Sequence, residues 1–361
     1  MGANDWGTYH WTVPMKARHQ SLFDLVRSGL LCVTVALFAA CGGGDDGKPA
    51  VNPPLQFQVV SFGDSISDVG TYAPVAQLVG GGRFTTNPGQ VWTQDVANFF
   101  GGTLTAAQTG GYGAPVRNHA DGLGYAQGGA RVTDPNGINF KANGLGALTV
   151  PIATQLQNHL SAHGNFNDGQ LVLVQGGGSD ILIHADAVVG GSETLGDANQ
   201  AVTLAAQQLA AIVGKILQSG AKHVVVSNVG NIGVSPLGVS DNSLGSLLTG
   251  MTLTFNSALT NALQTAGIQN QVINIDQFGF INDVLAHFKE KGFQVSNTGT
   301  GCNLQLLSKE IEVSSLFCSP KTYTVPDADQ TYMFADEVHP TTHLHALFAT
   351  LVEQAVQAAS K

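Results

Sequence analysis

Four short apolar runs bounded by turn residues punctuate the chain: Phe57 to Phe62, Leu171 to Gln175, His223 to Asn228 and Gln271 to Ile275. Runs of this length without polar alternation predict strands buried on both faces. Helical patterns lie between them. The segment from Met251 carries Leu253, Leu259 and Leu263 and stops at Gly267, and an alanine-rich stretch from Ala198 to Leu217 ends near Gly220. Strands alternating with helices argue for a parallel sheet covered by helices on both faces. In such sheets ligands sit beyond the carboxyl ends of the strands. Ser65 and Ser179 directly follow the first and second runs, so the topology brings these distant residues to one edge. A last helix is predicted from Thr341 to about Ala359, with Pro340 at its start, where a missing amide proton costs nothing. From Gly101 to Gly128 the chain is glycine-rich and without period. Its aromatic neighbours Phe99, Phe100, Tyr112 and Tyr125 read as packed loop anchors, the alternative being the lining of an acyl groove.

The first fifty residues follow a different logic. Lys16, Arg18 and Arg27 precede an apolar run, Leu30 to Ala40, that is short for a membrane span but suits the core of a signal peptide. The run ends in FAAC, which resembles a lipobox, the site at which bacterial lipoproteins are cleaved and the new terminal cysteine is acylated. Residues 1–40 are therefore expected to be a signal peptide, Cys41 the lipidated residue, 41–55 a glycine-rich and then proline-stiffened tether, and 56–361 one domain. The alternative is plain secretion with cleavage after Ala40. Either way the expected location is outside the bacterial cytoplasm: attached to the cell envelope at the outer membrane through the lipid anchor, or secreted.

Composition narrows the partners. Of 361 residues only 11% are charged, against roughly 25% in an average soluble protein, and 45 are glycine. The formal charge of -10 repels a polyanion, which excludes nucleic acid as an expected partner. With Cys32 in the signal segment and Cys41 assigned to lipid, Cys302 and Cys318 remain as a pair in an oxidising compartment. A bridge between them is expected, two buried thiols being the alternative.

The chemistry gathers at the two ends of the domain. FGDSISDVG sets Ser65 on a sharp turn after the first strand, and a serine hydroxyl becomes a nucleophile only when a base removes its proton. FADEVHPTTH supplies Asp336 and His339, spaced so that the carboxylate can orient the imidazole while the other ring nitrogen faces a partner elsewhere. Histidines 339, 343 and 345 also suggest a metal cluster. However, Pro340 stands where an HExxH motif needs glutamate, so no metal is expected and His343 and His345 are expected to cap or face solvent. No GxSxG elbow is present.

Together these segments resemble the GDSL, or SGNH, family of serine esterases and lipases. Ser65 stands in its first block, with Ile66 for the usual leucine, and Asp336 and His339 stand in its last. GYAQGGARV resembles a second block and maps its oxyanion-hole glycine onto Gly129, and Gly82 to Ala97 is similar to the stretch after the nucleophile. One block departs. VQGGGSDIL keeps Gly177 and Asp180 but has Ser179 where the family has an asparagine donor, with Gln175 as another nearby candidate.

The resemblance implies a three-layer α/β/α, flavodoxin-like fold and a hydrolase of carboxylic esters of lipids or small molecules. Ser65 would be the nucleophile, His339 the base and Asp336 its orienter. The oxyanion would be held by Ser65, Gly129 and Ser179, without a cofactor. Acyl transfer to another alcohol, or a surface-binding lipoprotein with weakened catalysis, are the alternatives.

Overall fold

The computed structural model describes residues 55–360; the expected signal peptide, Cys41 and the tether as far as residue 54 lie outside the described residues. Six strands run in chain order: β1 Gln58–Phe62, β2 Gln108–Gly111, β3 Ala114–Asn118, β4 Gln170–Val174, β5 His223–Ser227 and β6 Ile273–Ile275. β1, β4, β5 and β6 form a parallel sheet in the order β1-β4-β5-β6, each within two residues of its apolar run. Register stacks Val60 on Val172 and Val224, and Phe62 on Val174 and Val226. Every residue of β4 is buried, which is why that strand reads as a continuous apolar run.

Seven helices of eight residues or more are found among the described residues: α1 Trp92–Phe99, α2 Ile152–His163, α3 Gly178–Val189, α4 Leu195–Gln218, α5 Asn242–Thr265, α6 Gln277–Ala286 and α7 Thr342–Ala359. α2 to α5 pack as one layer and α1 packs with α7 in the other, where Trp92 and Phe280 each meet the Phe348 ring at 5.1 and 5.3 Å. α4 buries Val202, Ala206, Leu209, Val213 and Ile216, a stripe at alternating four- and three-residue steps, and its cap Thr194 accepts from the Asp197 amide. The arrangement is the expected parallel α/β sandwich.

Two elements differ from the sequence expectation. α5 begins at Asn242 rather than near Met251, because the Asp241 carboxylate caps the amides of Ser243 and Leu244 ahead of the apolar stripe. The aperiodic glycine-rich stretch contains the antiparallel β2–β3 hairpin, whose turn places Gly111, Tyr112 and Gly113 at positive φ, with a register shift between Thr109 and Gly111. Such a bulge erases the alternation by which a hairpin is recognised.

The same stretch completes the edge of the sheet. The Ser61 amide donates to the Leu123 carbonyl and the Tyr125 amide to the Ser61 carbonyl, so residues 123–125 run beside β1 on the side away from β4. The chain leaves β1 for that side before returning to β4. This reversal opens a crevice at the carboxyl ends of β1 and β4.

Candidate active site

Ser65 opens a one-turn 3-10 helix, Ser65–Ser67, immediately beyond β1. Asp64 caps it by accepting from the Ile66 amide, and as the first helical residue Ser65 has an amide with no intrahelical acceptor. The turn is clamped from behind. The Gly63 amide donates to Gln155 Oε1 at 2.9 Å, and Gln155 Nε2 donates back to the Gly63 carbonyl at 2.8 Å, so a side-chain amide from α2 pairs with the main chain as a neighbouring strand would. Ser67 donates to Gln175 Oε1 and accepts from Trp92 Nε1, both at 3.2 Å. Burial pushes the Asp64 carboxyl up to about 6, against the opposing pull of the Ile66 amide and the charge of His339.

Across the crevice, His339 Nε2 lies 2.9 Å from Ser65 Oγ. His339 Nδ1 lies 2.8 Å from Asp336 Oδ2 and 2.9 Å from Oδ1. A carboxylate only accepts, so Nδ1 carries the proton and leaves Nε2 to accept from the serine hydroxyl. Asp336 takes three further hydrogen bonds, from the amides of Val338 and His339 to Oδ1 and from the Ser315 amide to Oδ2. Burial alone would raise this carboxyl, but the neighbouring imidazole and the converging donors outweigh it and hold the group well below the ordinary aspartate value. Phe84 covers the imidazole with its ring 5.0 Å away.

Gly129 adopts φ 79, and a Cβ there would run into the Ile138 carbonyl, so only glycine fits. Its amide makes no hydrogen bond within the described residues. The loop that carries it is tied to the Ser65 turn: the Gly128 amide donates to Asp68 Oδ2 at 2.8 Å, and Asp68 Oδ1 accepts from Gly70 and Thr71. It is also tied to α3. Arg131 Nε donates to Asp180 Oδ1 at 2.9 Å and the Val132 amide donates to Asp180 Oδ2. Arg131 also donates to His184 Nε2, which puts the histidine proton on Nδ1, facing Glu193.

Ser179 is the second residue of α3 and is buried, and its hydroxyl makes no hydrogen bond among the described residues. The three preceding glycines let the chain turn closely. Gly177 is left-handed and lies flat on the Phe255 ring, where a side chain would collide. Gln175 turns its amide toward Asp64 and Ser67.

Cys302 and Cys318 form a disulfide, and both are fully buried. His345 departs from expectation. It is buried rather than capping or facing solvent, accepts from the Trp92 amide through Nδ1, and is held neutral by burial, which lowers its pKa to about 3. His343 donates through Nδ1 to the Gln330 carbonyl, and its ring packs at a tilt on Phe293. Of the four aromatics, Phe100 and Tyr125 are buried in the core, Tyr112 bonds Glu312 at 2.9 Å, and Phe99 ends α1 half exposed. A hollow of about 640 Å³ lies between Val69, Arg83 and Ala106, but neither Ser65 nor His339 lines it.

Sequence reasoning missed Gln155, Asp68, Phe84 and Ser315. Asp68 had a local signal, an Asp two residues before glycine that folds an Asx-type turn. The others act from 92, 255 and 21 residues along the chain from the groups they touch, with no local pattern to mark them.

The family model for GDSL-like Lipase/Acylhydrolase matches residues 59–352, from the second residue of β1 to well inside α7. Among curated proteins none matches the sequence.

Proposed function

Because the chain belongs to the GDSL-like lipase/acylhydrolase family, whose chemistry is acyl ester hydrolysis or acyl transfer, we propose that it is a serine hydrolase of carboxylic esters. Ser65, His339 and Asp336 are the reacting set. The observation that carries this reading is the continuous relay from Ser65 Oγ through His339 to the Asp336 carboxylate, with contacts of 2.9 and 2.8 Å. Ser65 Oγ attacks the ester carbonyl as Nε2 takes its proton, and Asp336 stabilises the imidazolium. The amides of Ser65 and Gly129 stabilise the oxyanion, with the Ser179 hydroxyl as third donor. The intermediate collapses, and the imidazolium gives its proton to the departing alcohol. Water attacks the acyl-serine by the reverse path and releases the acid.

A fluorophosphonate probe and a panel of p-nitrophenyl esters test the reading together. Labelling confined to Ser65, with turnover that disappears in Ser65→Ala, is expected. Turnover that survives in that variant rejects it.

Ser179 favours a second reading, a scaffold with weakened turnover. A serine in place of asparagine reaches less far, and a lost oxyanion donor costs about a hundredfold to a thousandfold. Ser179→Asn should therefore raise kcat with KM little changed; a fall in both Ser179→Asn and Ser179→Ala would make Ser179 a tuned donor.

The export reading extends this proposal: Cys41 carries lipid at the cell envelope, and the tether presents the domain to small or lipid ester substrates. The buried disulfide supports an oxidising compartment. Cys41→Ser should shift the protein from the membrane to the soluble fraction, and unchanged fractionation rejects the anchor.

A further inference from the structure

We propose that the main-chain N–H of Ser315, delivered by the disulfide-closed segment Cys302–Cys318, is a positioning group for the Asp336 carboxylate. The inference rests on the reading of Asp336 as the partner of His339. Two of the amides on this carboxylate, from Val338 and His339, are local and converge on Oδ1. They accompany the turn wherever it goes. Oδ2, which faces His339 Nδ1 at 2.8 Å, has a single main-chain donor, Ser315, at 2.7 Å and from 21 residues away. Without it, rotation of the carboxylate about its last bond would be resisted on the Oδ2 side by the imidazole alone.

The placement of that donor is built from several directions. Ser315 begins a one-turn helix, Ser315–Phe317, so its amide has no helical acceptor and is free to point outward. Its carbonyl accepts from Asn87 Nδ2 at 3.0 Å, and the next carbonyl, Leu316, accepts from the Gly82 amide at 2.8 Å. At the other end of the bridge the Cys302 amide donates to the carbonyl of Ala335, the neighbour of Asp336, at 2.8 Å. The disulfide thus joins a chain that runs beside Asp336 to the turn that caps its carboxylate. The Ser315 hydroxyl is buried without a hydrogen bond of good geometry, yet it lies close enough to the Asp336 carboxylate to help hold it ionised, so side chain and main chain have to be separated by experiment.

Replacing residue 315 by lactic acid through nonsense suppression puts an ester oxygen where the N–H stands. Ser315→Ala, which keeps the N–H and the same side chain, is the baseline. Relative to it, kcat should fall about tenfold to a hundredfold, the size of one hydrogen bond to a charged group, with KM within about twofold. The acid limb of kcat/KM should move to higher pH, since a carboxylate relieved of a donor holds the imidazolium more strongly. A merely structural role would lower thermal stability and the active fraction, leaving kcat per titrated site and the acid limb where they were. That result overturns the proposal.

Cys302→Ala/Cys318→Ala provides a second route should the ester variant not fold. It should show the same limb shift, and an unmoved limb counts against the proposal. Asp336→Asn separates the two levels. If it keeps full turnover, the proposed site itself is wrong; if it loses turnover while the ester variant does not, only the role of Ser315 falls.

Discussion

The two sides of the crevice meet the same demand by different means. Ser65 extends from β1, a strand paired on both edges, and its turn is clamped by side-chain amides, Gln155 from α2 and Gln175 from the end of β4. Asp336 and His339 lie in irregular chain between Ala328–Thr331 and α7, with no sheet strand beneath them. There the fixing groups are a main-chain amide, an aromatic ring and a covalent bridge. A side chain on a strand end inherits its position from the sheet ladder, whereas one on a loop needs its neighbours to be tied as well. Conformational freedom costs roughly 1–2 kcal/mol per ordered residue, and a cross-link removes part of that cost by restricting the unfolded chain.

The comparison fails at once if the two sides are not chemically equal partners. Ser65→Ala and His339→Ala should each lower ester turnover by roughly a thousandfold or more; Ser65→Ala should melt close to the parent, whereas His339→Ala also removes the ring under Phe84 and a partner of the buried Asp336 carboxylate and should melt lower. Substantial turnover in either one, measured with active-site titration, would leave that side outside the chemistry. Next comes the bridge. Cys302→Ala/Cys318→Ala should lose roughly 3 kcal/mol in denaturant unfolding, the chain-entropy value for a loop of this length; a loss near zero would mean that packing alone holds the base side.

On the Ser65 side, Gln155→Leu leaves the Gly63 amide without a partner in a buried place, while the Gly63 carbonyl keeps the Gln127 amide. It should cost roughly 2 kcal/mol and lower kcat in parallel. Stability lost with kcat intact would show that β1 alone sets the turn. The smallest effect concerns Glu312, which bonds Tyr112 and Asn139 from the disulfide segment and is pushed up to about 7, chiefly by burial. A folded carboxyl that holds its proton more tightly than the unfolded chain loses stability as pH rises from its ordinary 4.5 through about 7. Glutamine has no such proton. The melting temperature of Glu312→Gln minus that of the parent should therefore climb between about pH 5 and about pH 8, and a flat difference would refute the link.

Much of the fold is legible in the chain because burial on two faces leaves a direct record. β4 and β5 each contain an unbroken aliphatic run, Leu171 to Val174 and Val224 to Val226, and α4 repeats its apolar positions every three or four residues. Ser65, Asp336 and His339 are legible because each of the proposed reacting groups must be one particular side chain, and their spacing survives as short motifs. The β2–β3 hairpin left no alternation to read, since glycines and a bulge carry its turn.

What the sequence by itself determined was the kind of sheet, the turn after β1, the pairing of Asp336 with His339, and the two cysteines available for a bridge. What only the tertiary structure decided was the set of groups that hold these residues still. Gln155 works through an amide that any buried glutamine possesses, and Ser315 through a main-chain N–H common to every residue but proline. Such groups are chemically anonymous in a sequence. Their function comes from where the fold puts them, through contacts spanning 92 and 21 residues that no local pattern encodes.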